Sequence, residues 1–495
     1  MNASLLSLFY LILDKLLKVN KLILTIPLSI LLIGLTCISS IKGANNVFDV
    51  NLDENAYQSY SKYQKDNKYQ KDVNNILSYD NSTYRMELMF NRPGNYNSIN
   101  NNPMFYSYNG LSHFCSSEKK EVMSYMAKIG FHYNGFFEKY EYGSTVAMNS
   151  LLGIKYLVDD ESLSNKYKPY FVENEPYKTL EFMGSSPDMK YYQNEYALPL
   201  CFIGNHMTSS YVSEGTHIEG KYNIYWYDHF EYQNQIFKTL VDITDSSNQK
   251  KDIFYKLKRD MYTICGLEEQ KDEFNDIYGM FIKEGSYIEF RYEVPSEGIG
   301  ENLYLSEKNY FNDANYYLNG NKQEISTYWH KGIKNIKDTS SHKITFKIVF
   351  TKKLNNQLIK PELYYENKAI LKEYIEEIAK QSSLDLKSFK KAFSYGYEGT
   401  INLSKDNQDL YFTLPYEDNV SIYVDGKKME TKKTLNIFSG CNLDNIEKGT
   451  HTIKWVYRDR GLITSIILCN IGVISLVAVV ILYNNLEEKM KSNKK

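Results

Sequence analysis

The sequence lacks the short motifs that mark the commonest soluble enzymes. Its 495 residues contain no G-x-S-x-G nucleophile motif, no Walker loop and no dinucleotide-binding glycine fingerprint. The eight histidines form neither H-E-x-x-H nor H-x-x-x-H, the spacings typical of helical zinc ligands. The net charge of −2 provides no overall basic charge of the kind that favours nucleic acid. We therefore expect no cofactor, no metal and no nucleic-acid partner.

Cysteine is also scarce, and its spacing excludes two kinds of site. The six cysteines are far apart and form no C-x-x-C pair, which argues against both a zinc site and a small disulfide framework. They are Cys37, Cys115, Cys201, Cys265, Cys441 and Cys469. Free cysteine behaves as a small apolar residue, so we expect buried free thiols.

Tyrosine, in contrast, is abundant, with 46 residues. One explanation is a genome of low GC content, whose codons also favour the frequent Asn, Lys and Ile. The other is a surface that stacks on sugars or polymers, because a tyrosine ring combines a flat apolar face with a polar tip. Composition alone does not separate these explanations.

Two long apolar runs predict membrane-spanning helices. Residues 22–41 and 462–483 carry no charged side chain, and at about 1.5 Å per residue each run covers a bilayer core of about 30 Å. Lysines lie before the first run and after the second, which predicts that both termini are cytoplasmic and residues 42–460 extracytoplasmic. These lysines are Lys15, Lys18, Lys21, Lys489, Lys491, Lys494 and Lys495. The alternative for the first run is a cleaved signal peptide.

The first residues suggest a larger membrane architecture. Residues 5–13, "LLSLFYLIL", are apolar but too short to span a bilayer. They resemble the end of a transmembrane helix whose beginning is missing. We therefore expect the chain to begin part-way through a multi-spanning protein, as a split form or as a fragment of a longer chain.

Periodicity between the two runs predicts an α+β fold, with antiparallel β-sandwich modules plus helices flanked by the two transmembrane helices. Ser117 and Ser144 are candidate caps of two helices, and a third helix is expected over about 366–381. After residue 195, runs with a period of two predict strands, and Asn319-Gly320 and Asp425-Gly426 predict hairpin turns. These strand runs are 287–294, 303–307, 343–350, 410–414, 420–426 and 451–457.

Changes of composition and pattern along the chain predict eight segments. They are a cytoplasmic segment 1–21, a transmembrane helix 22–41, a polar stalk and helix 42–80, a mixed α/β domain 81–204, a β-rich domain 205–360, a helix plus β-sandwich domain 361–460, a transmembrane helix 462–483 and a basic cytoplasmic tail 484–495.

The stretch from residue 101 to residue 117, "NNPMFYSYNGLSHFCSS", is the main candidate binding site. Its polar and aromatic side chains suit a groove for a sugar or a glycerol-phosphate unit, and an arginine on the preceding strand suits bidentate binding of a phosphate. The candidate residues are Arg85, Tyr106, Tyr108, Asn109, Ser112 and His113. The alternative is structural, with turns made by Asn and Gly, a helix capped by the hydroxyls, and Arg85 paired with an internal carboxylate.

No residue stands out as catalytic. Asp159, Asp160 and Glu161 form an acidic cluster at a strand end, for which a solvated turn is the better interpretation than a catalytic or metal site. His113 and His451 are each open to a role as ligand or base, but a structural hydrogen bond is the simpler explanation.

Several segments, in order, resemble the C-terminal half of the YfhO family of bacterial membrane proteins. They are the Arg-containing strand and loop "YRMELMFNRPGNYNSINNNPMFYSYNGLSHFCSS", the strand "MNSLLGIKYLVDD", the turn "NEYALPLCFIG" and the closing elements "LPYEDNVSIYVDGKK" and "GTHTIKWVY". The resemblance covers about residue 20 to residue 485. It depends on the order and spacing of these segments, because no single one of them is specific.

The resemblance implies a multi-spanning, GT-C-like membrane glycosyltransferase family. Such enzymes take a sugar from an undecaprenyl-phosphate carrier and transfer it to an envelope polymer such as teichoic or lipoteichoic acid. The expected acidic catalytic residue lies between early membrane helices that this sequence does not match. We therefore expect an accessory or truncated form that works with the lipid bilayer, a separate multi-spanning glycosyltransferase and an envelope polymer or lipid-linked sugar. The alternative is a non-enzymatic, membrane-tethered module for carbohydrate binding or adhesion.

Overall fold

The computed structural model describes most of the region between the two apolar runs. The described residues are 68–88, 106–114, 119–131, 137–138, 143–160, 176–183, 187–207, 218–219, 225–226, 228–271, 277–306, 313–323, 333–338, 341–359, 361–382, 385–391 and 394–458, with isolated positions elsewhere. The predicted span 22–41 lies outside them, and within 462–483 only positions 464, 467, 481 and 482 are described. Among the described residues, no helix has both the length and the apolar character needed to cross a membrane.

Helices and strands alternate irregularly along this region. The helices with described bounds are α1 (Lys68–Tyr79), α2 (Lys120–Lys128), α3 (Val146–Leu151), α4 (His229–Leu240) and α5 (Lys368–Ala379). The strands are β1 (Arg85–Leu88), β2 (His113–Phe114), β3 (Phe137–Glu138), β4 (Ile154–Asp160), β5 (Tyr177–Leu180), β6 (Met189–Asn194), β7 (Cys201–Asn205), β8 (Ile218–Glu219), β9 (Tyr225–Trp226), β10 (Phe254–Lys256), β11 (Lys258–Lys271), β12 (Ile277–Glu293), β13 (Asn302–Leu305), β14 (Ala314–Leu318), β15 (Asn321–Gln323), β16 (Lys334–Asp338), β17 (Lys343–Phe350), β18 (Leu354–Ile359), β19 (Leu363–Glu366), β20 (Lys387–Lys391), β21 (Ser394–Leu403), β22 (Gln408–Pro415), β23 (Val420–Val424), β24 (Lys427–Lys428), β25 (Lys432–Thr434), β26 (Phe438–Asn442) and β27 (Gly449–Arg458).

The first sheet is the only mixed one among the sheets that the structure describes. Its strands run in the order β1-β4-β6-β5, with β1 parallel to β4 and the other pairs antiparallel. Helix α3 precedes β4, and its first turn is capped by Thr145, whose hydroxyl accepts a hydrogen bond from the Met148 amide at 3.1 Å. The predicted cap Ser144 is therefore wrong by one residue. Thr145, one position later, has the extended backbone conformation typical of an N-cap residue.

Two larger sheets form the middle of the region. One runs β10-β19-β13-β16, and the other runs β11-β12-β17-β14-β15 with β18 also paired to β12. In β17, the sequence KITFKIVF alternates between exposed or half-buried and buried positions, so one face lies in an apolar core shared with β13 and β19. The Asn319-Gly320 turn joins β14 to β15 with positive φ at both residues, as the hairpin prediction requires.

The last two sheets share a core in the same way. One runs β20-β21-β27-β23-β24 and the other β25-β26-β22-β7, and apolar side chains from both form a single buried cluster. Trp455 on β27 donates from its indole nitrogen to the Ser439 hydroxyl on β26 at 2.8 Å, a bond that connects the two sheets. The Asp425-Gly426 turn between β23 and β24 also has positive φ at both residues. The predicted antiparallel β-structure with helices is confirmed.

Residues 68–458 form one compact unit. Strand β7 lies at the predicted boundary between residues 204 and 205, and it pairs with β22, which belongs to the last predicted domain. The predicted segment boundaries themselves stay predictions.

The described cysteines differ from one another. Cys201 and Cys441 are buried free thiols, as predicted, and burial raises the pKa of both. The prediction is wrong for Cys265, which is exposed on β11. Along β11, Tyr262 and Ile264 pack against the core, so alternation places Cys265 on the opposite, exposed face.

Candidate functional site

Arg85 is buried, with 7% of its surface exposed. Its guanidinium donates to the Leu152 carbonyl, to the Thr413 hydroxyl at 3.2 Å and to the Thr413 carbonyl at 2.6 Å. Burial lowers its pKa to about 10, so the group stays charged at neutral pH. Arg85 thus joins β1 to β22 and to the turn after α3, and the predicted phosphate contact stays a prediction.

Glu87, two residues further along β1, is a buried carboxylate that sequence reasoning missed. One of its oxygens accepts from the amides of Leu111 and Ser112, the second at 3.2 Å. The other oxygen is buried without a hydrogen-bond partner among the described residues. Burial raises the pKa of Glu87 to about 7. Glu87 therefore anchors the loop that contains the candidate residues.

The loop residues are brought together, but their side chains are not all accessible. Tyr106 and Tyr108 are 5% and 7% exposed. Asn109 is exposed, and its side chain donates to the Tyr84 carbonyl at 3.2 Å. Ser112 is half-buried, and His113 contributes its backbone to β2. Two features of the structural alternative are wrong: Arg85 donates to carbonyl and hydroxyl groups rather than to a carboxylate, and the N-cap of α2 is Lys119, which makes no side-chain cap hydrogen bond. The binding role of the loop residues stays a prediction.

The remaining sequence candidates are the acidic cluster and His451, and their roles stay predictions. Asp159 and Asp160 lie inside β4 and are buried, so the predicted solvated turn is wrong for them; β4 continues through both and pairs them with β6. Glu161 lies outside the described residues. Both ring nitrogens of His451 are bonded, to an Asp425 carboxylate oxygen at 2.7 Å and to the Glu447 carbonyl at 2.6 Å. The hydrogen bond to Asp425 raises the pKa of His451.

A groove of about 700 Å³ lies on the outer face of the last five-stranded sheet, and we call it the Phe389 groove. It follows from the alternation along the strands: on β27, Ile453 and Trp455 point into the core, so Lys454 and Arg458 point outward. The residues used below to define the Phe389 groove are Lys387, Phe389, Lys391, Glu398, Lys454 and Arg458.

Cross-strand register arranges these side chains in rows. Lys391 on β20 lies opposite Ser394 on β21, which lies opposite Arg458 on β27. Lys387 lies opposite Glu398, which lies opposite Lys454. We call these the Arg458 row and the Lys454 row. Phe389 belongs to the row between them.

Gly396 makes room for the phenylalanine. It lies opposite Phe389, and a Cβ at this position would come within 2.0 Å of the Trp455 carbonyl oxygen and 2.8 Å of the Phe389 ring. The Lys454 ammonium lies 4.4 Å from the ring centroid and the Lys391 ammonium 5.9 Å from it. The ring thus holds two cations close to the centre of the groove.

The charges of the groove are mostly positive. Four cationic side chains and two carboxylates, Asp385 and Glu398, line it. Glu398 binds Lys454 at 2.8 Å, and Asp385 accepts from the amide and the hydroxyl of Thr400 at 2.8 and 3.0 Å. Lys387 and Lys391 form no ion pair among the described residues, and both are exposed. A solvent-accessible, cationic groove with two aromatic side chains, Phe389 and Tyr423, suits an anionic chain, because its two carboxylates already have partners.

Fold and groove together define a β-rich protein with a cationic groove on one sheet face. The family model described as bacterial membrane protein YfhO matches residues 1–469. The chain therefore belongs to the YfhO family of bacterial membrane proteins, as the sequence motifs predict. No curated protein matches it.

Sequence reasoning missed the groove because of β20. Four of the five residues of KSFKK are Lys or Ser, and none is β-branched, so the segment carries little strand signal. The signal that was available is the alternation in "IKWVYR", which places Lys454 and Arg458 on one face of a predicted strand.

Proposed function

We propose that this protein takes part in the glycosylation of phosphate-containing polymers of the bacterial cell envelope, and that the Phe389 groove binds the acceptor polymer. In this proposal residues 42–460 are extracytoplasmic, the sugar comes from an undecaprenyl-phosphate carrier and the acceptor is teichoic or lipoteichoic acid. Membership of the YfhO family supports the membrane setting. The observation that carries the acceptor role is the cationic groove, in which Lys387 and Lys391 form no ion pair with any described residue.

The groove suits binding rather than chemistry. Transfer to a hydroxyl group needs a carboxylate or another base that is available to take the hydroxyl proton. Both carboxylates of the groove are already engaged, Glu398 by Lys454 and Asp385 by Thr400. We therefore propose that a separate multi-spanning glycosyltransferase supplies the catalytic base, and that the purified chain alone transfers no sugar from a lipid-phosphate donor.

Two groove residues provide the sharpest test of acceptor binding. The double variant Lys391→Glu and Arg458→Glu reverses both cations of the Arg458 row, and we expect it to weaken binding of purified lipoteichoic acid to the full chain in detergent by at least about tenfold. The matched control is Lys390→Glu with Lys353→Glu. Both of these lysines are exposed and lie outside the groove, and the change in net charge is the same.

The same variants test the cellular role. Deleting the gene should reduce the sugar content of the envelope polymer; the wild-type gene and the control double variant should restore it, and the groove double variant should not. Unchanged polymer glycosylation after deletion would contradict the proposal. If the chain still bound the polymer, that result would favour the non-enzymatic surface module instead.

A further inference from the structure

We infer that one edge of the last five-stranded sheet contacts phospholipid headgroups of the bilayer through Tyr395, Lys391 and Arg458. This inference rests on one part of the proposed function, the placement of the charge-free run 462–483 in the membrane. It does not depend on the acceptor role of the Phe389 groove. It goes beyond the proposed function because it assigns a membrane contact to the folded region itself.

Strand pairing brings the ends of three strands together at this edge. Strand β20 ends at Lys391, β21 begins at Ser394 and β27 ends at Arg458, and Ser394 lies opposite both of the others. One position further into the sheet, Tyr395 lies opposite Tyr457. We call these five residues the Tyr395 edge. Register therefore places residues of β20 and β21 beside the end of β27, although they are distant from it in the sequence.

The Tyr395 edge combines exposed aromatic surface with exposed cations. Tyr395 is 47% exposed, and its ring stacks on that of Tyr457 with 5.0 Å between the centroids. Lys391 and Arg458 are both exposed. Tyrosine suits the interface between lipid and water because its ring is apolar and its hydroxyl group is polar. Lysine and arginine side chains bind lipid phosphates there.

The acids nearby leave positive charge available at this edge. The turn before β23 lies at the same end of the sheet, because its Asn419 carbonyl accepts a hydrogen bond from the Arg458 amide at 3.1 Å. Within this turn, Glu417 forms an ion pair with Lys119 at 3.1 Å. Asp418 is exposed and forms no ion pair among the described residues. The two exposed cations of the Tyr395 edge therefore outnumber the acid that remains.

The sequence limits the distance between this edge and the bilayer. Residues 459–461 separate Arg458 from the charge-free run 462–483. At no more than about 3.6 Å per residue, this linker allows about 14 Å at most between Arg458 and the start of the run. The headgroup layer on each side of a bilayer is itself about 5–8 Å thick. With the run in the membrane, the end of β27 is therefore within reach of the headgroups.

The side chains favour one orientation of the sheet on the membrane. When β27 stands upright, the paired ends of β20 and β21 approach the bilayer at the same level as Arg458. The exposed ring of Tyr395 and both cations contact lipid together in this orientation. Thr450, near the other end of β27, is about 26 Å from Arg458 at about 3.3 Å per residue, and so is held away from the bilayer.

Two cysteine probes on the full chain test the inference. Ser394→Cys introduces a thiol at the Tyr395 edge with little change of size, and Thr450→Cys introduces one at the other end of β27, where the side chain is exposed. Both are made with Cys265→Ser, because Cys265 is an exposed thiol, and the labelled Cys265→Ser chain provides the background signal.

The measurement is fluorescence quenching in vesicles of phosphatidylcholine and phosphatidylglycerol. Each thiol is labelled with bimane, and some of the lipids carry a nitroxide on the headgroup. We expect the nitroxide to quench the Ser394→Cys probe at least about threefold more than the Thr450→Cys probe, because about 26 Å of strand separates their positions. Adding Tyr395→Ser should lower the quenching of the Ser394→Cys probe, whereas Tyr395→Trp should keep it, since tryptophan also suits the interface.

The outcomes separate this inference from the proposed function. Suppose that the chain floats with the vesicles. Equal quenching of the two probes, or quenching that Tyr395→Ser leaves unchanged, would then overturn the inference and leave the acceptor role of the Phe389 groove standing. A chain that did not float with the vesicles would contradict the proposed membrane placement and the inference together. Binding of lipoteichoic acid in detergent needs no bilayer, so it tests the groove independently.

Discussion

Two regions of this protein contain arginine, carboxylate and aromatic side chains close together in space, yet they use them in opposite ways. Arg85 and Glu87 are buried, and their partners are groups of the protein itself, the Thr413 hydroxyl and several backbone groups. In the Phe389 groove, Arg458 and Lys391 are exposed and have donors that remain available to a ligand. Residue type alone therefore does not indicate which of these charged side chains can bind a ligand. The partners of each charged side chain in the folded protein do.

The largest expected effect is on stability, from Arg85→Met. The substitution removes a buried cation and leaves the carbonyls of Leu152 and Thr413 without their donor, which should cost about 3 kcal/mol or more in the free energy of unfolding. Denaturant unfolding of the full chain in detergent measures this loss. Arg458→Met is the matched control, and its expected change is within about 0.5 kcal/mol because Arg458 is exposed. Equal effects of the two substitutions would remove the distinction between the regions.

The second prediction concerns pH and Glu87. Burial raises its folded-state pKa from the ordinary glutamate value of 4.5 to about 7, so the folded state binds the proton more tightly than the unfolded state. Stability should therefore fall as pH rises from 4.5 to 7 and then level off, with a loss of about 3 kcal/mol from this residue. Glu87→Gln should remove that part of the pH dependence, since an amide keeps one oxygen for the two backbone donors.

Glu366 provides the control for that measurement. It is also fully buried, its pKa is also raised to about 7 by burial, and its carboxylate accepts from Ala147, Asn302 and Tyr304. Glu366→Gln should remove a similar part of the pH dependence, and the double variant should remove both. If the stability of Glu87→Gln kept the wild-type pH profile, the assignment of a protonated Glu87 would be wrong.

The smallest expected effect is at the centre of the groove. Phe389→Leu removes the ring that lies near the ammonium groups of Lys454 and Lys391, and a cation–π contact at an exposed site contributes about 0.5–1 kcal/mol. Binding of lipoteichoic acid should weaken about two- to fivefold, with little change in stability. Phe389→Tyr keeps the ring and should bind as the wild type does. Equal binding by the leucine variant would show that the ring does not position the cations.

Several elements could be predicted from the sequence because they depend on local pattern. The two hairpin turns, Asn319-Gly320 and Asp425-Gly426, follow from the small set of residues that tolerate positive φ. The strand β17 follows from strict alternation of apolar residues. The helix predicted over 366–381 is present as α5, capped by Asn367, while Glu366 ends the preceding strand.

The site was less predictable, for a reason visible in Arg85. The sequence places Arg85 beside a polar loop, which suggests a shared binding surface. Its actual partner Thr413 lies 328 positions later in the chain, so no local pattern could reveal it. The groove was missed for the same reason. Strand β20 forms by pairing with β21, and only the register of β21 with β27 places the lysines of β20 in line with Lys454 and Arg458.

The sequence by itself determined the antiparallel β-rich character, the two turns and membership of the YfhO family, because each of these depends on residue types in a fixed local order. Only the tertiary structure decided which charged side chains bond within the protein and which remain accessible to a ligand. Strands that are distant in sequence set the burial and the partners of each charged side chain. They bury Arg85 among hydrogen-bond partners inside the protein and leave Lys391 and Arg458 exposed to solvent.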